Sequence, residues 1–459
     1  MMRVATTLLS PEEMGRVALV LTTTAFFALF LVNPVGMFIN RRLHAWQASG
    51  VAQHYLTRYV YYLLLVAFIA ATGLPFLYMS GVVNFGISIA WLIFLVSGSL
   101  LFNTINQTSI PSLNLLGYSG RFVLLSVATI AASFACGTLL VLLVQPSAQF
   151  WLLGQLLGQI LLGVIGTLVF FPRLQVQESA HFPQIQKRHL QVLFNFAWPV
   201  AIAAGLGWVQ GQGYRYLIED QLGLAQLGLF VAGYGVSAGI IMGFESVLTT
   251  YFQPRLYRDV SSAQPDKQAL AWQRYAAAVI PSLLLTAALA AMLAPELTRL
   301  FLGENFHSAA NFVVWGAFAE AARALVGIYS LIAHVHMQTR WLIIPNLVGA
   351  VLAISLCALL LPGFGAAGAG MAMVSSGFTV VLVMHLLLAR HVGGGIPIQP
   401  VLKASLAAAA LWGGTLGLQA MLAPAGWWEI AWVLVFVGVA YLGAQYLLLR
   451  QHMAEKDEA

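Results

Sequence analysis

The sequence predicts an all-α, polytopic membrane protein of about thirteen transmembrane helices, on three observations. Only 8% of its 459 residues are charged and 60% are hydrophobic, whereas a soluble domain carries about 25% charged residues. Mean hydropathy is +0.85, too apolar for a water-facing surface. The apolar residues also fall into blocks near the roughly 20 residues that one helix needs to cross the hydrocarbon core. Only helices and closed barrels satisfy their backbone there. The blocks lack the alternation of barrel strands, so they read as helices.

The blocks are justified in order. The first, 16–37, follows Leu9-Ser10-Pro11-Glu12-Glu13-Met14-Gly15. The second, 59–79, is opened by Arg58-Tyr59. The third and fourth, 82–103 and 121–144, are continuous apolar runs. Gly154xxxGly158 in the fifth, 150–171, and Gly207xxxGly211 in the sixth, 193–213, read as helix-packing notches. The seventh, 226–249, follows Leu222-Gly223-Leu224-Ala225-Gln226-Leu227-Gly228. The eighth, 273–294, is opened by Arg274-Tyr275, and the ninth, 308–331, contains Glu320 and Arg323. The tenth and eleventh, 340–361 and 364–388, flank a tight turn. The last two are 402–422 and 427–449. Cys136 and Cys357 lie inside spans as packing residues, and no disulfide framework follows.

Charge sets the orientation, because cytoplasmic loops are enriched in Lys and Arg. Sixteen of the 21 Lys and Arg fall on one side: Arg41, Arg42, Arg58, Arg121, Arg173, Lys187, Arg188, Arg255, Arg258, Lys267, Arg274, Arg340, Arg390, Lys403, Arg450 and Lys456. Four, Arg3, Arg16, Arg215 and Arg299, fall on the other, and Arg323 lies within a span. This places the C-terminus in the cytoplasm. The net charge of +6 is then a topology signal, and the scatter of the basic residues argues against a nucleic-acid partner.

The chain also repeats itself. Gly15 aligns with Gly228 and Arg42 with Arg255, both at an offset of 213, while Arg58-Tyr59 aligns with Arg274-Tyr275 at 216. Order and direction of the spans are kept, so the repeat is parallel. The block 193–213 has no counterpart before the first motif. The repeat therefore implies one further, N-terminal helix in the ancestral architecture, fourteen in all.

Several chemistries are excluded. No glycine precedes any lysine, so there is no phosphate-binding GxxxxGK[ST] loop. HExxH and CxxC are absent, and no metal or cofactor is expected. Gly363-Phe364-Gly365-Ala366-Ala367-Gly368 fits GxGxxG, but it lies between two apolar spans and not after a strand. It reads as a turn followed by a close-packing helix start.

Four stretches carry a resemblance: LLSPEEMGRVAL near the N-terminus, LFNFAWPVAIAAGLGWVQGQGYRYLIEDQLGLAQLGLFVAGYGV at 193–236, FLGENFHSAANFVVWGAF at 301–318 and LLLPGFGAAGAGMAM at 359–373. Together these stretches resemble the polysaccharide/oligosaccharide flippases (Wzx-like) of the multidrug/oligosaccharidyl-lipid/polysaccharide exporter superfamily. The resemblance implies two six-helix lobes around a central cavity, with further helices at the C-terminus. On that pattern residues 1–171 form an N-terminal lobe lacking its first helix, and 172–192 a cytoplasmic linker. Residues 193–390 form a C-terminal lobe, and 391–459 add two helices and a tail. The family's Asp-Arg pair after the seventh helix is reduced to Arg215 in Gly213-Tyr214-Arg215.

The implied function is transport without catalysis. A lipid-linked saccharide is carried from the cytoplasmic to the outer leaflet of a bacterial inner membrane by alternating access. Its partners are the lipid bilayer, a polysaccharide polymerase or glycosyltransferases, and H+ or Na+ as coupling ion. A cation or drug antiporter of the same superfamily is the alternative, and a membrane-embedded glycosyltransferase or ligase a more distant one, disfavoured by the short outer loops.

Candidate residues follow from charge and depth. Charges near mid-bilayer are costly unless paired or facing water, which marks Arg323 and Glu320, an i,i+3 pair. Arg323 has the geometry for a phosphate, with Glu320 holding it between substrates. Gln155, Gln159, Gln210 and Gln212 are polar side chains suited to a sugar-facing cavity. Arg42 and Arg255 end equivalent spans and suit capture of an anionic head group. Arg215, Glu219 and Asp220 form a candidate outer gate. Glu245, His334 and His336 are candidates for ion coupling, with Glu245 placed near the cytoplasmic interface.

Overall fold

The computed structural model describes residues 2–81, 83–174, 187–261, 265–335, 338–388, 398–422 and 426–454. Among these there are helices and turns and no strand. Thirteen helical rods are long and apolar enough to cross a membrane, one for each apolar block.

A short helix α1 (Met2–Leu8) precedes the first span. Helix α2 (Pro11–Phe27) begins at a complete start signal. Pro11 occupies its first turn and Ser10 accepts the Glu13 N–H through its side chain, which satisfies a backbone donor that the helix itself cannot. Arg16 bridges Glu12 and Glu13. The rod widens into a π-helical turn at Ala28–Val32 and continues as α3 (Asn33–Ala48). Pro34 explains the widening, since proline removes a ladder donor and crowds the preceding turn. The Tyr62 hydroxyl donates to the Leu31 carbonyl in that turn at 2.8 Å.

The next helices are α4 (Ala52–Met79), α5 (Ile89–Leu115), α6 (Ser119–Leu143) and α7 (Ala148–Phe170). Helix α5 corrects the third block of the sequence reading, which ran from 82 to 103. Residues 83–88 are not helical, and the helix extends through the polar run Asn103–Ser112. Hydropathy rejects such a run, but its polar groups find partners. Asn106 bonds Thr129 at 3.3 Å and Ser109 bonds Thr167 at 3.2 Å. Glu13 accepts the Ala148 N–H at 2.6 Å, placing a carboxylate at the positive end of α7. Gly154 and Gly158 lie directly on the backbone of Gly137 and Ser133 in α6, as expected of a packing notch. Gly207 and Gly211 instead face open space, so the second notch is not one.

Then follow α8 (Lys187–Gln212), α9 (Tyr214–Leu222), α10 (Leu224–Ser261), α11 (Pro265–Met292), α12 (Ala294–Phe301), α13 (Ala310–Val335), α14 (Ile343–Phe364), α15 (Ala366–Leu388), α16 (Ile398–Leu422) and α17 (Trp427–Ala454). Gly365 takes a φ of +58° between α14 and α15, the left-handed value that a tight turn asks of glycine.

By packing, the chain forms two compact units, Arg3–Gly228 and Leu229–Ala459. Helices α8 and α9 thus pack with the first unit, whereas the repeat groups their sequence with the second half. In the second unit α11 is the central helix, touching α13, α16 and α17. Its buried Ser282 and Thr286 anchor α17: Thr286 bonds the Tyr441 hydroxyl at 2.8 Å and Gln445 donates to the Ser282 carbonyl at 2.9 Å.

The repeat is visible in the element ends. Pro11–Ala48 and Leu224–Ser261 are both 38 residues long and offset by 213 at each end (224 − 11 and 261 − 48). Helices α4 and α11 are both 28 residues long, again offset by 213 (265 − 52 and 292 − 79). The match of Arg58 to Arg274 at 216 is therefore about one turn out of register. Tyr62 and Tyr275 are the pair that keeps 213.

Gly15 and Gly228 acquire a physical reason in the first unit. A Cβ on Gly15 would run into the Leu224 carbonyl, and one on Gly228 into the Pro11 carbonyl. Residues 11 and 224 are themselves repeat equivalents, so the contact is reciprocal.

Candidate functional site

Each unit contains a polar centre within its spans. In the second unit it is built on α13, where Glu320 and Arg323 are three residues apart and so share a face. Arg323 donates through Nε to Glu320 at 2.5 Å and through an Nη to Glu245 of α10 at 2.6 Å. The Tyr234 hydroxyl, also on α10, donates to the other oxygen of Glu320. Side-chain exposure falls from 46% at Arg323 to 22% at Glu245 and 6% at Glu320. The guanidinium thus lies at the open edge and Glu320 at the closed one.

This corrects the sequence reading in two respects. Glu245 is not an isolated carboxylate at the interface but the second acid of an ion triad. Arg323 is shared by two carboxylates, so the cluster has a formal charge of −1. Nothing local in the sequence signals the pairing, because the partners are 78 residues apart.

In the first unit the centre is built where α8 and α9 meet α2. Arg215 donates to the Thr22 hydroxyl at 2.8 Å and to Gln212 at 3.3 Å. Thr23 bonds the Tyr216 hydroxyl at 2.8 Å, and the Trp208 indole donates to the Thr22 carbonyl at 3.1 Å. Phe26 packs edge-on against Trp208 with ring centres 5.0 Å apart. The centre is therefore an arginine, hydroxyls, an amide and an indole, donors and rings of the kind that suit a saccharide or its phosphate.

The candidate outer gate separates. Among the described residues no ion pair joins Arg215 to Glu219 or Asp220. Glu219 is buried and accepts the Asn84 N–H at 3.3 Å, while Asp220 is exposed. Both acids line a cavity of about 560 Å³ with Glu12 and Asn84. On the short helix α9, Arg215 and Glu219 point to different neighbours, the first to α2 and the second to the hairpin before α5.

Arg42 and Arg255 share a local device. Arg42 lies over the Phe38 ring at 5.7 Å, and Arg255 over the Tyr251 ring at 4.4 Å with a 2.7 Å bond to its hydroxyl. Phe38 and Tyr251 are again offset by 213, so each arginine follows an aromatic residue by one turn. Gln155 and Gln159 are half-buried on α7, and the Gln159 carbonyl is buried with no partner among the described residues. Gln210 is half-buried on α8. His336 and the side chain of His334 lie outside the described residues.

The sequence reading missed Thr22, Thr23, Tyr216 and Tyr234, hydroxyl residues inside apolar helices that no charge marks. It also missed Glu296, buried on α12, which accepts from Gln419 at 2.8 Å.

The family model described as "polysaccharide biosynthesis protein" matches residues 4–311. An inward-facing structure of a multidrug-resistance MATE-family transporter of the MOP superfamily superposes with a TM-score of 0.69 at 15% identity, covering 85% of this chain and 92% of that one. The lipid II flippase MurJ, in an inward closed conformation, superposes with a TM-score of 0.63 at 12% identity, covering 96% and 98%. At such identities the likeness is one of fold. No curated protein matches.

Proposed function

The chain belongs to the polysaccharide biosynthesis protein family, and from that membership we propose that it is a flippase for a lipid-linked oligosaccharide or polysaccharide precursor. It carries its substrate from the cytoplasmic to the outer leaflet of a bacterial inner membrane by alternating access. The observation that carries the reading is the family match over residues 4–311, which takes in all of the first unit after Arg3, and Glu245. The fold shared with a lipid II flippase supports it. The Arg215 centre gathers an arginine, hydroxyls and an indole where α2, α8 and α9 meet, groups that suit a saccharide or its phosphate. A polymerase and glycosyltransferases are its working partners, and H+ or Na+ its coupling ion.

Cells lacking the chain should lose surface polysaccharide and accumulate its lipid-linked precursor on the cytoplasmic side. Normal surface polysaccharide without precursor build-up would overturn the reading.

One observation favours a second reading, a cation or drug antiporter. The Arg323 centre has a formal charge of −1, which suits a cation better than a phosphate. Loss of resistance to cationic drugs in the same cells, with polysaccharide intact, would select it.

The arginine-rich ends of the spans are assigned to the cytoplasm by the sixteen-to-four division of Lys and Arg. With Cys136 and Cys357 replaced, Arg188→Cys and Lys267→Cys should resist an impermeant thiol reagent in intact cells and react after lysis. Labelling of Lys267→Cys in intact cells would reverse the topology.

A further inference from the structure

The first unit has its charges sorted by sign. Its described carboxylates, Glu12, Glu13, Glu219 and Asp220, all lie near the start of α2 and the hairpin before α5. The opposite end carries Arg41, Arg42, Arg58, Arg121 and Arg173 and no described carboxylate. Arg121 and Arg173 both rest on the ring of Tyr118, and Arg41 lies over Phe196. Arg42 and Arg58 instead line a cavity of about 400 Å³ formed by α3, α4 and the early turns of α8.

Helical spacing builds this cavity. Phe38, Arg42 and Trp46 recur every four residues on α3, and Tyr55, Arg58 and Tyr62 at three- and four-residue steps on α4, so each set forms one face. The faces meet where Trp46 stacks on Tyr55, with ring centres 4.2 Å apart and planes 13° apart. Arg58 lies over the same Tyr55 ring at 5.6 Å. Tyr62 is fixed from behind by the Leu31 carbonyl. Tyr59 adds a further ring, and the rest of the wall is aliphatic, including Val35, Ile39 and Leu193.

We propose that this cavity binds the phosphate or diphosphate of a lipid, with Arg42 and Arg58 against its oxygens and the aromatic and aliphatic wall around the first carbons of its chain. The planar N–H fork of a guanidinium matches the geometry of phosphate oxygens. Topological anchoring accounts for arginines at a helix end but not for their placement in a walled cavity with stacked aromatics. Depth agrees. The 38-residue rod from Pro11 extends roughly 57 Å at about 1.5 Å per residue, longer than the ~30 Å hydrocarbon core. Such a rod is long enough for its Arg42 end to reach head-group level. The site rests on the flippase reading only for the identity of the lipid, since the binding itself is measured without transport.

The test uses the full chain, purified in detergent, titrated calorimetrically with farnesyl diphosphate, farnesol and inorganic diphosphate. Farnesyl diphosphate should bind at least tenfold more tightly than either other probe. Arg42→Gln with Arg58→Gln should weaken it at least tenfold, and Arg42→Lys with Arg58→Lys less. Trp46→Leu should weaken it severalfold, and Arg121→Gln should leave it unchanged. Equal binding of inorganic diphosphate would overturn the lipid part of the proposal and leave a site for free phosphate. Wild-type affinity in the folded double glutamine or double lysine variant, or no binding of farnesyl diphosphate to the wild type, would overturn it outright. If surface polysaccharide survives loss of the chain while this binding is confirmed, the flippase reading fails and the site stands.

Discussion

Gly15→Ala and Gly228→Ala should each destabilise the folded chain by about 1–3 kcal/mol, the usual cost of overpacking. The largest losses are expected here because the obstacle is backbone. A methyl group on Gly15 would meet the carbonyl of Leu224, and one on Gly228 the carbonyl of Pro11. A side chain can rotate away from such a clash, whereas a helix must move as a body. The two contacts share the same pair of helix starts, so the double variant should depart from additivity. Gly73→Ala is the control. It lies within α4 with nothing near its absent Cβ, and alanine should be neutral there or stabilise by about 0.5–1 kcal/mol. The measurement is the fraction of detergent-solubilised chain that remains monodisperse after heating. Equal survival of all three single variants would show that the close approach does not limit stability.

At the Arg323 centre, one replacement should do more harm than two. Arg323→Leu leaves Glu320, nearly buried, facing Glu245 without a cation. Removing one member of a buried pair costs about 3–5 kcal/mol. Arg323 is half exposed, and water screens part of that loss, so about 1–3 kcal/mol is expected. Replacing Arg323 and Glu320 together by leucine removes the buried charge with its partner and leaves Glu245, the more exposed acid, to water. The double variant should therefore recover most of the lost thermal stability. If it is as unstable as the single one, the pair is not self-neutralising. The same variant tests function. Should Arg323 contact the substrate phosphate, cells with normal membrane abundance of the double variant should make no surface polysaccharide. Full export would exclude that role.

The thirteen spans were legible because hydrophobic length is a local property of the chain. Where the physics was not local, the sequence misled. Hydropathy displaces the third span because the polar run from Asn103 to Ser112 looks like a loop until its tertiary partners are known. Sequence alone puts Glu245 at the interface, because depth can be counted along one helix but a partner on another cannot. Arg215 and Glu219, one turn apart, invited a gate that α9 does not make, since each side chain finds a different neighbour. Gly154 and Gly207 begin identical GxxxG patterns, yet only the first meets another backbone. The repeat was found through Gly15, Gly228, Arg42 and Arg255, and the structure supplied what alignment lacks, a reason for the glycines and an aromatic companion for each arginine.

The widened turn at Ala28–Val32 changes what the repeat means. A π turn holds one residue more than an α turn, so every side chain beyond it is set back about 100° around the helix axis, one residue's share of a 3.6-residue turn. Helix α10, equal in length to its counterpart, has no such turn. The two copies therefore march in step but out of phase: Arg42 and Arg255 are the same number of residues from their helix starts, yet leave the axis in different compass directions. One proline-linked dislocation is enough to give the two equivalent arginines different bearings about their own helix axes.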